Sequence, residues 1–91
     1  MTLGDVLDIP PHVIARHVGD ETVLLDLNRG TYFGLDPVGA RIWELICQDR
    51  TLAAISDVIV EEYDVTREII EKDLLKLAEE LAAQKLVQVR E

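Results

Sequence analysis

The stretch from Leu25 to Ile46, LDLNRGTYFGLDPVGARIWELI, constrains this chain most. It reads as two short strands joined at Asn28-Arg29-Gly30, followed by a Pro-started amphipathic helix that carries the only Trp. Asn and Gly tolerate the positive φ that a tight hairpin demands. The second of these strands, Thr31 to Leu35, holds no charged residue and no Pro, which are the usual guards of an exposed sheet edge. An unguarded edge is a place where another chain can pair.

The flanking segments complete a fold around this hairpin. His12 to Val18 is rich in strand formers, Gly19-Asp20-Glu21 is a turn, and Thr22 to Leu27 is a nearly continuous apolar run suited to the centre of a sheet. The pattern predicts a three-stranded antiparallel meander with Thr22 to Leu27 in the middle and Thr31 to Leu35 at one edge. Asp36 followed by Pro37 is a helix-start signature, and that helix runs to about Gln48. Thr51 caps a second helix from Leu52 to about Tyr63, with Leu52, Ile55, Val58 and Ile59 at helical spacing. Thr66 caps a third, to about Lys85, in which Ile70, Leu74, Leu77 and Leu81 form one buried stripe. Leu86 to Val89 alternate weakly and allow a short terminal strand. Residues 1–91 thus read as one α+β domain of winged helix-turn-helix-like shape, with a loose N-terminal segment over residues 1–11.

That shape suggests DNA binding, and the charge argues against it. Eighteen acidic residues against nine basic ones leave a formal charge of −9, which disfavours a phosphate partner. The third helix sets Glu68, Glu71, Asp73, Glu79 and Glu80 against Arg67, Lys72, Lys76 and Lys85, and so lacks the basic surround of a recognition helix. We therefore expect no nucleic-acid partner. The start has no basic n-region and no apolar run approaches the roughly 18 residues of a membrane span, so a cytoplasmic protein without membrane contact is expected.

Catalytic and metal-binding patterns are thin. His12 and His17 lie on opposite faces of a regular strand and cannot chelate one metal together. Cys47 follows Leu45 and Ile46 and reads as a small buried hydrophobe, and Trp43 as a core anchor. The glycines at 30, 34 and 39 match neither a Walker loop nor a dinucleotide fingerprint. Glu61-Glu62 and Glu79-Glu80 are helix neighbours that point in different directions. A non-enzymatic chain without metal or cofactor is the expectation.

Several pieces in order carry a resemblance: Leu27-Asn28, Gly30-x-Tyr32-Phe33-Gly34-Leu35-Asp36, Gly39-Ala40-x-Ile42-Trp43, Tyr63-Asp64-Val65, Asp73-Leu74-x-x-Leu77 and Lys85-Leu86-Val87. Together they resemble the PqqD-like family of precursor-peptide recognition elements, which act in the biosynthesis of ribosomally made, post-translationally modified peptides. The hairpin lacks the extended Pro-Glu-Gly turn of true PqqD. The chain is more similar to the stand-alone recognition proteins of lasso-peptide pathways, where a separate leader protease and cyclase do the chemistry. The resemblance implies capture of a precursor's leader segment, with a Tyr, Pro and Leu pattern, as a strand added to Thr31 to Leu35 beside the third helix. The alternative from the same fold is a scaffold subunit or dimer that docks to a modifying enzyme, such as a radical-SAM enzyme, without selecting a peptide.

Leader contacts are accordingly expected from Arg29, Thr31, Tyr32, Phe33, Gly34 and Leu35 at the hairpin and edge, and from Arg67, Glu71, Leu74, Leu75 and Ala78 on the third helix. Leu75, Ala78 and Ala82 widen the helix stripe beyond a coiled-coil seam, and the small Ala side chains leave room for an incoming ring. Core packing is the competing reading for each of them. Tyr32 and Phe33 point to opposite faces, and the sequence leaves open which one faces the groove.

Overall fold

The computed structural model describes residues Met1–Glu91. Five strands and three helices follow in the order β1 (Leu7–Asp8), β2 (Val13–Val18), β3 (Glu21–Asp26), β4 (Thr31–Leu35), α1 (Pro37–Ile46), α2 (Leu52–Glu62), α3 (Arg67–Ala83) and β5 (Gln88–Val89). β2, β3 and β4 form the expected antiparallel meander with β3 in the centre. Both connecting turns use left-handed backbone, Gly19 at φ +63° and Gly30 at φ +71°, conformations that glycine adopts without a Cβ clash.

The local signals at the helix starts work as read. Asp36 accepts from the Gly39 amide at 2.7 Å, with Pro37 as the first helical residue. Thr51 accepts from Ala54 at 3.1 Å and Thr66 from Ile69 at 3.4 Å. Each cap supplies an acceptor to an amide that the helix itself leaves unpaired. All three helices end slightly before the expected residues, α2 by one, at Glu62. α1 closes at Ile46, and α3 closes at Ala83 because Lys85 turns left-handed at φ 60° and the Leu86 amide donates back to the Leu81 carbonyl at 2.9 Å.

Seventeen buried apolar residues form one core that draws on every strand of the meander, on all three helices, on Leu7 and on Leu86 and Val87. Ile70, Leu74, Ala78 and Leu81 are the buried residues of α3. Trp43 is 5% exposed and serves as the expected core anchor. Across the surface, Arg41 of α1 donates to both carboxylate oxygens of Glu62 at the end of α2, at 2.8 and 2.7 Å. This bond holds the Glu62 carboxyl below its ordinary value.

Residues 1–11 differ from the expectation of a loose segment. β1 pairs antiparallel with β5, Leu7 opposite Val89 and Asp8 opposite Gln88, so the terminal strand joins the N-terminus and not the meander. The Leu52 and Ala53 amides at the start of α2 donate to the Asp5 and Leu3 carbonyls at 3.0 and 2.7 Å, and Arg90 bridges Asp8 and Asp49. Leu7 is only 2% exposed. A two-residue strand is too short to show a period in the sequence, and its partner lies at the far end of the chain. Leu7→Ala is expected to cost about 2–5 kcal/mol, the usual range for an emptied core leucine site. Urea unfolding followed by circular dichroism measures it; a loss below about 1 kcal/mol would mean that the terminal pair does not close the core.

Candidate functional site

The hydrogen-bond parity of the sheet decides what β4 offers at its free edge. The Leu27 amide donates to the His12 carbonyl at 2.9 Å, so the odd-numbered β3 residues Leu25 and Val23 also direct their backbone groups to β2. In an antiparallel sheet the groups alternate sides along a strand. Thr22, Leu24 and Asp26 therefore face β4, where their register partners are Leu35, Phe33 and Thr31. The N–H and C=O groups of Tyr32 and Gly34 are left pointing away from the sheet.

Side chains alternate in the same way, perpendicular to the sheet. Thr31, Phe33 and Leu35 share the inner face with Leu24, while Tyr32 and Gly34 share the outer face with Leu25 and Val23. Phe33 is half-buried against the core, and Tyr32 is 77% exposed. The choice left open by the sequence is thus made by the core: Phe33 faces inward and Tyr32 outward.

Between β4 and α3 lies a cavity of about 460 Å³. Phe33, Leu35, Ile42 and Ile70 give it apolar lining, and Val38 of α1 and Val65 of the α2–α3 connection add to it. The first turn of α1 sits hard against the end of β4, since a Cβ on Gly39 would stand 3.2 Å from Asp36 Oδ1 and 3.3 Å from a Leu35 methyl. That close approach sets the position of this lining. The helix wall is Ile69, Asp73, Lys76, Leu77 and Glu80. Asp73, Lys76 and Glu80 make no ion pair within the chain.

This wall is not the one read from the sequence. Leu74 and Ala78 are 0% and 1% exposed and belong to the core. Leu75 packs half-buried against the core, and Glu71 is half-buried; neither lines the cavity. Arg67 pairs with Asp57 of α2, and Arg29 lies beside Asp26 at 4.0 Å, away from this cavity. Of the expected contact residues, Phe33, Gly34 and Leu35 line the cavity, and Thr31 and Tyr32 continue the strand. The physical reason is rotation. α3 has apolar residues around much of its circumference, and its packing against α2 and the shared core decided which arc is covered. One signal was available, since Ile69 is an apolar residue off the buried stripe and is 55% exposed.

The remaining candidates stand apart. Cys47 is exposed, not buried as expected, because α1 ends before it; partial burial, then Glu44 and Asp49, push its thiol up. His17 Nδ1 lies 3.1 Å from Thr22 Oγ1, while His12 Nε2 lies 3.9 Å from Asp26 Oδ1 at the other end of β2. No three His, Cys, Asp or Glu side chains converge on a point that would hold a metal ion. No helix is long and apolar enough to cross a membrane.

The family described as coenzyme PQQ synthesis protein D (PqqD) matches residues 21–87. The chain belongs to the PqqD family. Among solved structures, this PqqD-family chain is similar to TbiB1 in complex with the TbiA(beta) leader peptide, with 44% identity, a TM-score of 0.81, and coverage of 88% of this chain and 93% of that one. It also shares its fold with lasso peptide synthetase B1 complexed with the leader peptide, at 23% identity and a TM-score of 0.85, over 91% and 98% of the two chains. No curated protein matches it. The resemblance carried by the sequence motifs therefore holds, and it extends to relatives solved with leader peptides.

Proposed function

We propose that this PqqD-family protein binds the leader segment of a ribosomally made precursor peptide in lasso-peptide-type biosynthesis and presents it to a partner leader protease and cyclase in the cytoplasm, without performing catalysis itself. The leader adds to β4 as a fourth strand and lays alternate side chains into the cavity beneath it. The observation that carries this reading is the coincidence of unpaired Tyr32 and Gly34 backbone groups with a cavity of apolar lining and mixed-charge wall on the inner side of the same edge. The relative at 44% identity was solved with a leader peptide, which supports the same ligand class here.

Energetics favour a reading in which the side chains decide. Two outward residues supply four backbone hydrogen bonds, at about 0.5–1.5 kcal/mol net each, against an association cost of at least about 4 kcal/mol. Leader residues opposite Phe33 and Leu35 point inward. Each buried apolar anchor adds about 1.5–3 kcal/mol, so two of them give selectivity that the backbone alone lacks. The outer sheet face carries apolar area too, with Val18 at 63% and Tyr32 at 77% exposure beside half-buried Ile14, Val23 and Leu25, interrupted by Arg16 and Glu21. Such a patch marks a protein interface and is where the partner enzyme docks, next to the added strand.

Calorimetric titration with the TbiA(beta) leader peptide, beside a scrambled version of it, tests the proposal. A saturable one-to-one complex at about micromolar Kd or tighter is expected for the leader alone. Equal binding of both peptides, or of neither, would return the chain to the scaffold reading.

A further inference from the structure

The cavity beside β4 differs along its length, and its two ends can be told apart. Ala82 and Lys85, at the end of α3, line a separate polar pocket with Asn28 and Arg29 of the turn before β4. Val65 and Ile69, at the start of α3, line the cavity together with Leu35, which ends β4, and Val38 of α1. α3 therefore runs opposite to β4. Ile69 stands at the Leu35 end of the wall, and Asp73, Lys76 and Glu80 follow toward the Thr31 end. Ile69 and Glu80 are about 16 Å apart at the helical rise of about 1.5 Å per residue. The extended backbone from Leu35 to Thr31 spans about 13 Å, so Glu80 lies at the hairpin end of the groove.

Asp73, Lys76 and Glu80 are exposed and unpaired within the chain. A strand laid over the cavity displaces water that solvates them, and a charge deprived of water needs a partner. Lys76 balances one carboxylate only. Asp73 precedes it by three residues, the favourable order of acid and base along a helix, whereas Glu80 follows it by four, the unfavourable order. Lys76 therefore serves Asp73. Glu80 has no other base one turn away, since Leu77, Ala83 and Gln84 occupy those positions. Arg29 and Lys85, the cations at the hairpin end, line the polar pocket with the buried Asp26, and that pocket shares no residue with the groove.

Resting on the leader-binding reading above, we propose that Glu80 is a specificity-determining residue, which selects a leader carrying Lys or Arg on the inward face of the added strand at its hairpin end, opposite Phe33 or Thr31. The other end takes an apolar side chain against Ile69, Val65 and Val38. Inward side chains of a strand recur at every second residue, so the cation stands two or four residues from the apolar anchor opposite Leu35. Its stem lies along half-buried Leu77 while its charged end reaches the Glu80 carboxylate at the rim, the usual division of a long cationic side chain. The formal charge of −9 steers a basic peptide toward the same site.

A charge swap tests this. The TbiA(beta) leader is prepared with each residue in turn replaced by Lys and by Glu, and titrated against the unsubstituted protein and Glu80→Lys at about 50 mM salt, where screening is weak. At one inward position the unsubstituted protein should bind the Lys form at least about tenfold more tightly than the Glu form, and Glu80→Lys should reverse that order. Lys76→Gln should keep the preference, and about 500 mM salt should shrink it to about threefold or less. Glu80 is exposed, so Glu80→Lys should melt within a few degrees of the parent. If no position reverses its preference in Glu80→Lys, or if the preference is lost in Lys76→Gln and kept in Glu80→Lys, Glu80 does not read the leader, and the groove reading stands without it. Absence of leader binding by the unsubstituted protein would overturn both.

Discussion

Tyr32→Pro should abolish leader binding and leave the domain folded, while Phe33→Pro should unfold it. The two adjacent residues fall into opposite classes because their amides face opposite ways. The Phe33 N–H lies on the side of β4 that pairs with Leu24, so Pro there removes a ladder bond and a half-buried aromatic ring. The carbonyl left unpaired costs about 1–3 kcal/mol and the lost ring packing adds to it, out of a total stability of roughly 5–15 kcal/mol for a domain of this kind. Tyr32 presents its N–H to the free edge and is 77% exposed, so the same substitution costs the fold little; Pro is tolerated on edge strands. It deletes a leader hydrogen bond and sets a ring against the incoming strand, and we expect affinity to fall at least about a hundredfold, or some 2.7 kcal/mol. Circular dichroism melts and leader titration separate the outcomes. Wild-type affinity in Tyr32→Pro would reject strand addition to β4. Unfolding by Tyr32→Pro with a stable Phe33→Pro would show that the amide parity is inverted.

Two arginines placed on α3 make the second contrast. Ile69 is 55% exposed on the cavity wall, so Ile69→Arg places a long cation where an apolar leader side chain must settle. Binding should fall at least about a hundredfold, with a melting temperature within a few degrees of the parent, since surface substitutions usually stay within about 0.5 kcal/mol. Ala78 is 1% exposed in the core. Ala78→Arg forces a larger side chain and an unpaired charge into packed surroundings, which costs several kcal/mol, and the chain should be unfolded or molten at 25 °C. A stable Ala78→Arg that merely loses the leader would place the groove on the other arc of α3. A fully active Ile69→Arg would remove the cavity from the binding reaction.

What the sequence determined by itself is what neighbours in the chain decide among themselves. Asp36, Thr51 and Thr66 each accept from an amide three residues on, so the three helix starts are legible wherever those residues precede an apolar period. Asn28-Arg29-Gly30 closes the hairpin through Gly30 at φ +71°, and the absence of charge and Pro from Thr31 to Leu35 marks that strand as an edge before any neighbour is known. The motif order carried the family likeness for the same reason, since each motif is a local device.

Tertiary structure alone decided three further things. Leu7 finds Val89 across nearly the whole chain, a pairing whose two-residue strands hold no periodic signal. The choice between Tyr32 and Phe33 depended on which side of β4 the helices cover, and the β3–β4 register puts Phe33 on the same face as fully buried Leu24. The rotation of α3 chose Ile69, Asp73, Lys76 and Leu77 for the cavity and sent Leu74 and Ala78 to the core. A helix with apolar residues on so broad an arc has no unique inward direction of its own. Its facing is fixed only by the sheet and helices that bury it, because burial rewards any apolar arc nearly equally.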